Sequence, residues 1–302
     1  MKKLGVRSLK TWGEMKVAPG YLYQTLENWA PRLYYQNLEG RLFNGYKVDC
    51  DIREVVQQLI YFFGYYEAIE TFWVSQILQP GQTMLDAGAN LGYFSLVGAQ
   101  IVGAQGQVHS FEPIPANFKR LKNHIKLNHL ESVVHANNVG LWDQNEVLDF
   151  GISEETANNF GTFSVGSKDN LVNQLQCQVI KIDDYVSEKK VSKVDFLKMD
   201  VEGAELKALI GAQRTLERDR PTLLIEICKY TCDRFGYDQE EIWQLLKPLG
   251  YKMVLISNSQ KASKGLESLS GLLQENVLFY QGNLPKTLLD SWDIKQVRRD
   301  FF

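Results

Sequence analysis

The sequence predicts an α/β fold: a mostly parallel β-sheet with helices on both faces. Three observations lead to this prediction. The chain has 302 residues, 44% of them hydrophobic, which is enough to bury one large α/β core. From Met84 onward, short apolar runs alternate with helical stretches, as in a parallel sheet covered on both faces. The stretch TMLDAGANLGYFSL at 83–96 indicates a strand, a tight glycine turn and a helix.

Residues 1–64 are predicted to form an N-terminal extension on the acceptor side of a domain at 65–302. The first forty residues are predicted to be irregular or short helices, and their aromatic side chains include Trp12, Tyr21, Tyr23, Trp29, Tyr34 and Tyr35. Asn44-Gly45 between two β-like runs predicts a hairpin with a type I′ turn. Asp51 is predicted to cap a helix that ends at Gly64, and a second helix is expected at 67–78.

The remainder of the chain supplies the strands of the predicted sheet. They are expected at 83–86, 107–112, 133–138, 194–200, 222–227, 251–256 and 277–280. The segment 146–182 is too long for a plain connection between the third and fourth strands, and it contains the β-like runs VLDFGI and LQCQVIKI. We expect a β-hairpin insertion there, either as decoration or as a flap over the site.

The turn after the first strand of the sheet indicates a nucleoside ligand. Asp86-x-Gly88-x-Asn90-x-Gly92 has an asparagine where a dinucleotide fingerprint has its middle glycine, and an aspartate opens the turn. An aspartate suits a cation better than a phosphate. Glu112 ends the next strand, twenty residues past Gly92, which is the spacing at which an acid meets ribose hydroxyls.

Polar residues close the predicted strands at the edge where ligands bind in open α/β sheets. Asp200 follows the fourth strand and Glu226 ends the fifth. Carboxylates crowded at one edge repel one another unless a cation lies among them. Lys198 in an apolar strand is such a cation, with Asp200 or Glu226 as its partner, whereas Glu202 either joins the site or begins a helix.

Composition disfavours several classes of protein. The net charge is −3 and the pI is about 5.9, without a long basic run, so we expect no nucleic-acid partner. The spacing of the four cysteines fits neither a disulfide framework nor zinc. The basic start, MKKLGVRSLKTWGEMK, lacks the apolar core of a signal peptide, and no apolar run approaches membrane-spanning length. We therefore expect a cytoplasmic protein without stable membrane insertion.

Five stretches narrow the prediction to one family. MLDAGANLGYFSL, FEPIPANFKRLKNHIKLN, FLKMDVEGAELKALIGA and LLIEI follow in this order, preceded by LIYFFGYYEAIETF. Together they resemble the FkbM family of S-adenosylmethionine-dependent methyltransferases over roughly residues 41–280. The most specific piece is KMDVEGAE. The resemblance implies a Rossmann-like class I methyltransferase sheet whose last strand is antiparallel, and S-adenosylmethionine as cofactor.

The resemblance also implies roles for individual residues. Asp86, Gly88, Asn90 and Gly92 would hold the methionine end of the cofactor, Glu112 the ribose, Asn138, Val139 and Gly140 the adenine rim, and Asp200 the methyl-transfer end. The predicted cofactor site further includes Glu67, Tyr93 and Pro113. Asp200 and Glu226 are the predicted catalytic residues, and no metal is expected. A histidine often follows the LLIEI glutamate in the family, whereas Cys228 and Lys229 follow it here.

The methyl acceptor is the least defined part of the prediction. O-methylation of a sugar or another natural product is expected, and N-methylation of a peptide or amide is the alternative. A nicotinamide oxidoreductase and a binding module without turnover also remain open, and the oligomeric state is not predicted. Trp29, Tyr34, Tyr35, Phe160 and Phe163 are candidates for contacting a neutral, hydroxyl-bearing acceptor, although such aromatics equally serve to attach the extension.

Overall fold

The computed structural model describes residue 10 and the ranges 38–153, 164–165, 171–256, 265–289, 296–298 and 301–302. The predictions made for the N-terminal aromatic residues lie outside these ranges, as do those for Phe160 and Phe163.

A two-stranded hairpin precedes the main sheet. Strands β1 (Leu38–Arg41) and β2 (Lys47–Cys50) are antiparallel, with Arg41 opposite Lys47. The predicted type I′ turn is wrong, because φ is positive at Gly45 but not at Asn44. The Leu42 and Gly45 amides donate to the Tyr46 and Leu42 carbonyls, which makes a longer loop. The Asn44 side chain accepts a hydrogen bond from the Tyr46 amide at 3.2 Å, which favours this conformation.

The first helix begins later than the sequence suggested. Helix α1 (Val55–Phe63) has Glu54 at its N-cap and ends at Gly64, which is left-handed as predicted, with a φ of 78°. Asp51 does not cap this helix, because its carboxylate accepts hydrogen bonds from the Arg53 side chain at 2.8 and 2.5 Å. Helix α2 (Ala68–Ile77) follows.

The central sheet has the predicted topology. Its strands are β3 (Thr83–Ala87), β4 (Gln107–Phe111), β5 (Val134–Asn137), β10 (Phe196–Met199), β11 (Thr222–Cys228), β12 (Lys252–Ile256), β13 (Gly265–Leu266) and β14 (Gln274–Tyr280). Their order is β13-β12-β14-β11-β10-β3-β4-β5. The pairs from β5 to β11 are parallel, and the last strand, β14, is antiparallel to β11 and β12. The prediction of a Rossmann-like class I methyltransferase sheet is confirmed.

Helices cover both faces of this sheet. The remaining helices in the described ranges are α3 (Tyr93–Val102), α4 (Pro115–Leu127), α5 (Ile182–Glu188), α6 (Glu205–Ile210), α7 (Gln213–Asp219), α8 (Lys229–Phe235), α9 (Glu240–Leu246) and α10 (Lys286–Leu289). Met84 packs in one apolar cluster with Leu96 of α3, whereas its neighbour Leu85 packs in the other with Leu209 of α6. Successive strand residues face opposite layers, which explains the continuous apolar runs in the sequence.

The predicted insertion forms a second sheet. Strands β7 (Glu146–Ser153) and β9 (Leu171–Ile180) are antiparallel, which confirms the β-hairpin, and the short strands β6 (Gly140–Leu141) and β8 (Ser164–Val165) complete the order β6-β9-β7-β8. Phe150 and Cys177 lie in a small apolar cluster with Ile114, next to the central sheet. This packing holds the second sheet beside the ends of the parallel strands.

Candidate active site

A cavity of about 280 Å³ lies at the carboxyl ends of the parallel strands. This is the edge at which open α/β sheets bind ligands. Nine of the residues predicted from the sequence line it: Asp86, Gly88, Asn90, Tyr93, Glu112, Pro113, Gly140, Asp200 and Glu226. The fold therefore brings together residues from five separate parts of the chain.

The glycine turn has the backbone conformations that its sequence predicts. Gly88 has a φ of 77°, and a Cβ there would lie 1.8 Å from the carbonyl oxygen of Asp200. Gly92 has a φ of 98°, and its Cβ would meet the Leu121 side chain of α4 at 2.6 Å. The absence of a side chain at Gly92 therefore permits close contact with α4. Gly92 is not among the residues that line the cavity.

Asp86 is buried at the end of β3 with one carboxylate oxygen satisfied and one free. Its Oδ2 accepts a hydrogen bond from the Ser95 hydroxyl at 2.6 Å, whereas Oδ1 has no partner in the part of the chain that the structure describes. Burial raises the pKa of this carboxyl, and the nearby Lys198 ammonium opposes the shift. A buried oxygen without a donor is costly, so the position fits a ligand that supplies one. The ammonium of S-adenosylmethionine is such a donor.

Glu112 is fixed by the main chain. Its two carboxylate oxygens accept hydrogen bonds from the Asn90 and Ile114 amides, both at 2.8 Å. Asn90 holds a φ of 50° in the left-handed region, and this conformation accompanies the contact between its amide and Glu112. Burial raises the pKa of Glu112 to about 7, against these hydrogen bonds. The Asn117 side chain also lowers this pKa by hydrogen bonding, and a carboxylate has about four acceptor positions, so Glu112 can still accept hydrogen bonds from ribose hydroxyls.

Lys198 is the buried cation at the other end of the cavity. Its ammonium donates to Asp200 at 3.0 Å, which confirms one of the two predicted partners, and it lies 5.0 Å from the centre of the Phe94 ring. Burial lowers the pKa of Lys198, but Asp200, Glu67 and Asp86 together outweigh burial and raise it above its usual range. The lysine is therefore charged and engaged by Asp200.

Two glutamates beside this pair retain protons to unusually high pH. Burial raises the pKa of Glu226 to about 8, with Asp200 adding to the shift and Lys198 opposing it. The pKa of Glu202 is likewise raised to about 8 by burial and by Asp200 and Glu226. Gln274 donates to Glu226 at 3.0 Å, which fixes the direction of that carboxyl. Both carboxyl groups are therefore mostly protonated near neutral pH in the cofactor-free protein, and each accepts a proton only after it has ionised.

Three other predicted site residues lie elsewhere. Asn138 is exposed and donates to the Glu112 and Pro113 carbonyls, both at 2.9 Å, so it supports the chain that carries Glu112. Val139 packs against an apolar cluster instead of facing the cavity. Glu67, predicted to hold the cofactor, lines a second cavity, although its pKa is affected by the charges of Lys198 and Asp200 in the first. Their predicted contacts with the cofactor gain no support from this placement.

The structure decides between the two roles considered for Glu202 and adds cavity residues that were not predicted. Glu202 lines the cavity from a turn with a φ of 56°, and α6 begins only at Glu205. Glu205 stabilises the turn before α6, because its carboxylate accepts hydrogen bonds from the Val201 and Gly203 amides. Tyr66 and Gln274 also line the cavity, but they carry no strand-end signal in the sequence.

The histidines do not contribute to the cavity. His109 is buried against Tyr185, and burial lowers its pKa to about 4. His124 is buried between the Leu91 carbonyl and the Asp49 amide. No group of three or more histidine, cysteine or acidic side chains among the described residues is arranged to hold a metal ion. Within the same ranges, no helix is long and apolar enough to cross a membrane.

Comparison with known proteins identifies related methyltransferases. Residues 86–253 match the family model of the methyltransferase FkbM domain. "Methyltransferase 1" of Beauveria bassiana (strain ARSEF 2860) is 25% identical over 169 residues, which cover 51% of this chain and 66% of the relative. The "31-O-demethyl-FK506 methyltransferase FkbM" of Streptomyces tacrolimicus is 24% identical over 160 residues, 45% of this chain and 61% of the relative. The chain thus covers less than two thirds of each relative.

A solved structure shares the name of the family. The methyltransferase FkbM of Methylobacillus flagellatus KT aligns with a TM-score of 0.44 and 18% identity, over 74% of this chain and 54% of that one.

Proposed function

The chain belongs to the FkbM methyltransferase domain family, and from this premise we propose that it transfers a methyl group from S-adenosylmethionine to a hydroxyl of a small molecule. The cofactor predicted from the sequence is that of the family, which replaces the nicotinamide alternative. The observation that carries the proposal is the free, buried Oδ1 of Asp86 in a cavity that also contains the Glu112 carboxylate.

The two ends of the cavity suit different parts of the cofactor. Asp86 would bind the ammonium group, and Glu112, already oriented by two backbone amides, would accept hydrogen bonds from the ribose hydroxyls. When bound, the cofactor supplies a methyl group on a positively charged sulfur. Asp200 lines the remaining end with Glu202 and Glu226, and their carboxylates favour a positive charge there.

Glu226 is the group best suited to take the proton of the acceptor hydroxyl. The carboxylate of Asp200 is engaged by the Lys198 ammonium at 3.0 Å, so it is already committed to another partner. Glu226 has a raised pKa of about 8 in the cofactor-free protein, and the positive charge of the bound cofactor would favour its carboxylate form, which can then take the proton. In this assignment Asp200 orients the acceptor and Glu226 removes the proton. Holding the cofactor and the acceptor together would supply the larger share of the rate acceleration, up to roughly 7–11 kcal/mol of the activation barrier.

The experiment is methyl transfer from S-adenosylmethionine that is carbon-13 labelled in the methyl group, with metabolite fractions as acceptors. We expect a labelled methoxy group in the product, identified by its carbon shift. A labelled N-methyl group would replace O-methylation by the amide or peptide alternative. A protein that binds the cofactor but forms no labelled product with any fraction would support a binding module and contradict the proposal.

A further inference from the structure

A second cavity of about 340 Å³ adjoins the cofactor cavity. Tyr66, Glu226 and Gln274 line both cavities, so these three side chains form a shared wall. Glu226 is also the residue to which we assigned proton removal. A molecule in the second cavity therefore contacts the same carboxyl group as the reacting end of the first cavity.

The second cavity carries an excess of acidic groups. Glu67, Glu70, Glu226 and Glu275 line it, whereas Arg298 is the single lysine or arginine among the described residues that do so. Glu70 is buried, with Oε1 accepting a hydrogen bond from Asn276 at 3.0 Å. Burial raises the pKa of Glu67 and of Glu226 to about 8, and a bound cation would favour the ionised form of both. Carboxyl groups gathered in this way favour a cation over an anion, most strongly above that pH.

Two further features define what else the ligand must offer. The Nε of Arg298 is buried and has no hydrogen-bond partner among the described residues, so a ligand that reaches it would supply an oxygen or another acceptor. Leu59 and Phe63 of α1 line the same cavity and present apolar surface. A ligand complementary to this lining therefore combines a positive charge, a hydrogen-bond acceptor and an apolar skeleton in one molecule.

We propose that the second cavity is the acceptor site and that it binds an amino alcohol, a molecule with an ammonium group and hydroxyl groups on an apolar skeleton. The inference rests on the proposed methyl transfer, since it takes the hydroxyl next to Glu226 as the methyl acceptor. The ammonium group lies among the carboxylates of Glu67, Glu70 and Glu275, and a hydroxyl oxygen accepts a hydrogen bond from Arg298. The site selects the acceptor by charge.

The test measures binding of three matched probes to the protein saturated with S-adenosylhomocysteine, which keeps the probes out of the first cavity. The probes are aminocyclohexanol, cyclohexanediol and hydroxycyclohexane carboxylate, with their two groups on adjacent carbons. Calorimetry should show the amine binding at least about tenfold more tightly than the diol, and the carboxylate binding most weakly. Equal binding of amine and diol, tightest binding of the carboxylate, or no binding of the amine at millimolar concentrations would overturn the proposal.

Substitutions test whether the amine binds in the second cavity. Leu59→Trp fills the second cavity from α1, so it should abolish amine binding yet leave the affinity for S-adenosylhomocysteine unchanged. Leu127→Trp, on a partly exposed position of α4, is the matched control and should change neither. Glu275→Gln should weaken the amine more than the diol, and the exposed Glu217→Gln should not. Undiminished amine binding in Leu59→Trp contradicts the assigned site.

The outcomes separate the two proposals. If S-adenosylhomocysteine and S-adenosylmethionine both fail to bind, the proposed function fails. If they bind but the amine is not preferred, only the assignment of the acceptor fails.

Discussion

Gly88 and the carbonyl oxygen of Asp200 are in direct contact. A Cβ on residue 88 would lie 1.8 Å from that oxygen, and Gly88 also holds a φ of 77°. The Asp200 amide in turn donates to the Ala87 carbonyl at 3.1 Å. The end of β3 and the segment that follows β10 are therefore in close main-chain contact. This contact determines the position of Asp200 relative to Asp86.

We predict that Gly88→Ala destabilises the protein far more than Gly81→Ala. Gly81 has a similar φ of 82° but nothing within 4 Å of its Cβ position, so its substitution introduces only the backbone penalty of about 1 kcal/mol. Gly88→Ala adds the clash with Asp200, and we expect a total of at least about 3 kcal/mol. Urea unfolding measures both. Equal losses would mean that the close approach is absent.

Asp200→Asn and Glu226→Gln should have different effects, although both should lower turnover by at least about tenfold. Asp200→Asn removes the direct partner of the buried Lys198, so it should also cost about 3 kcal/mol of stability. Glu226 forms no ion pair within the described ranges and is held by Gln274, so Glu226→Gln should keep both stability and cofactor affinity. Initial rates and urea unfolding of the two variants test this difference. Normal turnover in both would make these carboxylates structural and leave catalysis to proximity.

Glu67→Gly should make the protein more stable and less active. A non-glycine residue in the left-handed region is strained, and Glu67 has a φ of 44°. Lys190→Gly is the matched control, because Lys190 has a φ of 54° and is exposed. Both variants should gain up to about 1 kcal/mol in urea unfolding. Only Glu67→Gly should reduce methyl transfer, and full activity in this variant would remove Glu67 from the acceptor site.

The stability of the cofactor-free protein should fall as the pH rises from about 5 to 8. Glu202 and Glu226 have a pKa of about 8 in the folded protein against 4.5 for an ordinary glutamate, so over this range the folded state binds more protons than the unfolded state. Each group contributes at most about 1.4 kcal/mol per pH unit. Glu202→Gln should flatten the dependence measured by urea unfolding, and the exposed Glu217→Gln should not. An unchanged slope in Glu202→Gln would place its pKa near the ordinary value.

The sequence predicted the sheet because the signals that define it are local. The run before Asp86 and the glycines after it determine a strand and a turn through their own backbone preferences. The same reasoning identified Asp200 and Glu226, since a residue that closes a parallel strand must lie at the binding edge.

The errors involve contacts that a local pattern does not contain. Asp51 has the residue type of an N-cap, but Arg53 binds its carboxylate and Arg120 of α4 lies 3.6 Å from it. Glu67 was assigned to the cofactor on the resemblance alone, and the structure places it in the lining of the second cavity. Gln274 joins the site only because β14 pairs with β11 across the sheet. Such placements depend on tertiary structure.

The most direct measurement of the central claim is calorimetric titration of the protein with S-adenosylmethionine, S-adenosylhomocysteine and NAD. We expect both adenosyl compounds to bind and NAD not to bind. Glu112→Ala should weaken S-adenosylmethionine by about 1–3 kcal/mol, because the ribose hydroxyls lose their acceptor. Tight NAD binding without S-adenosylmethionine binding, or an unchanged affinity in Glu112→Ala, would contradict the account.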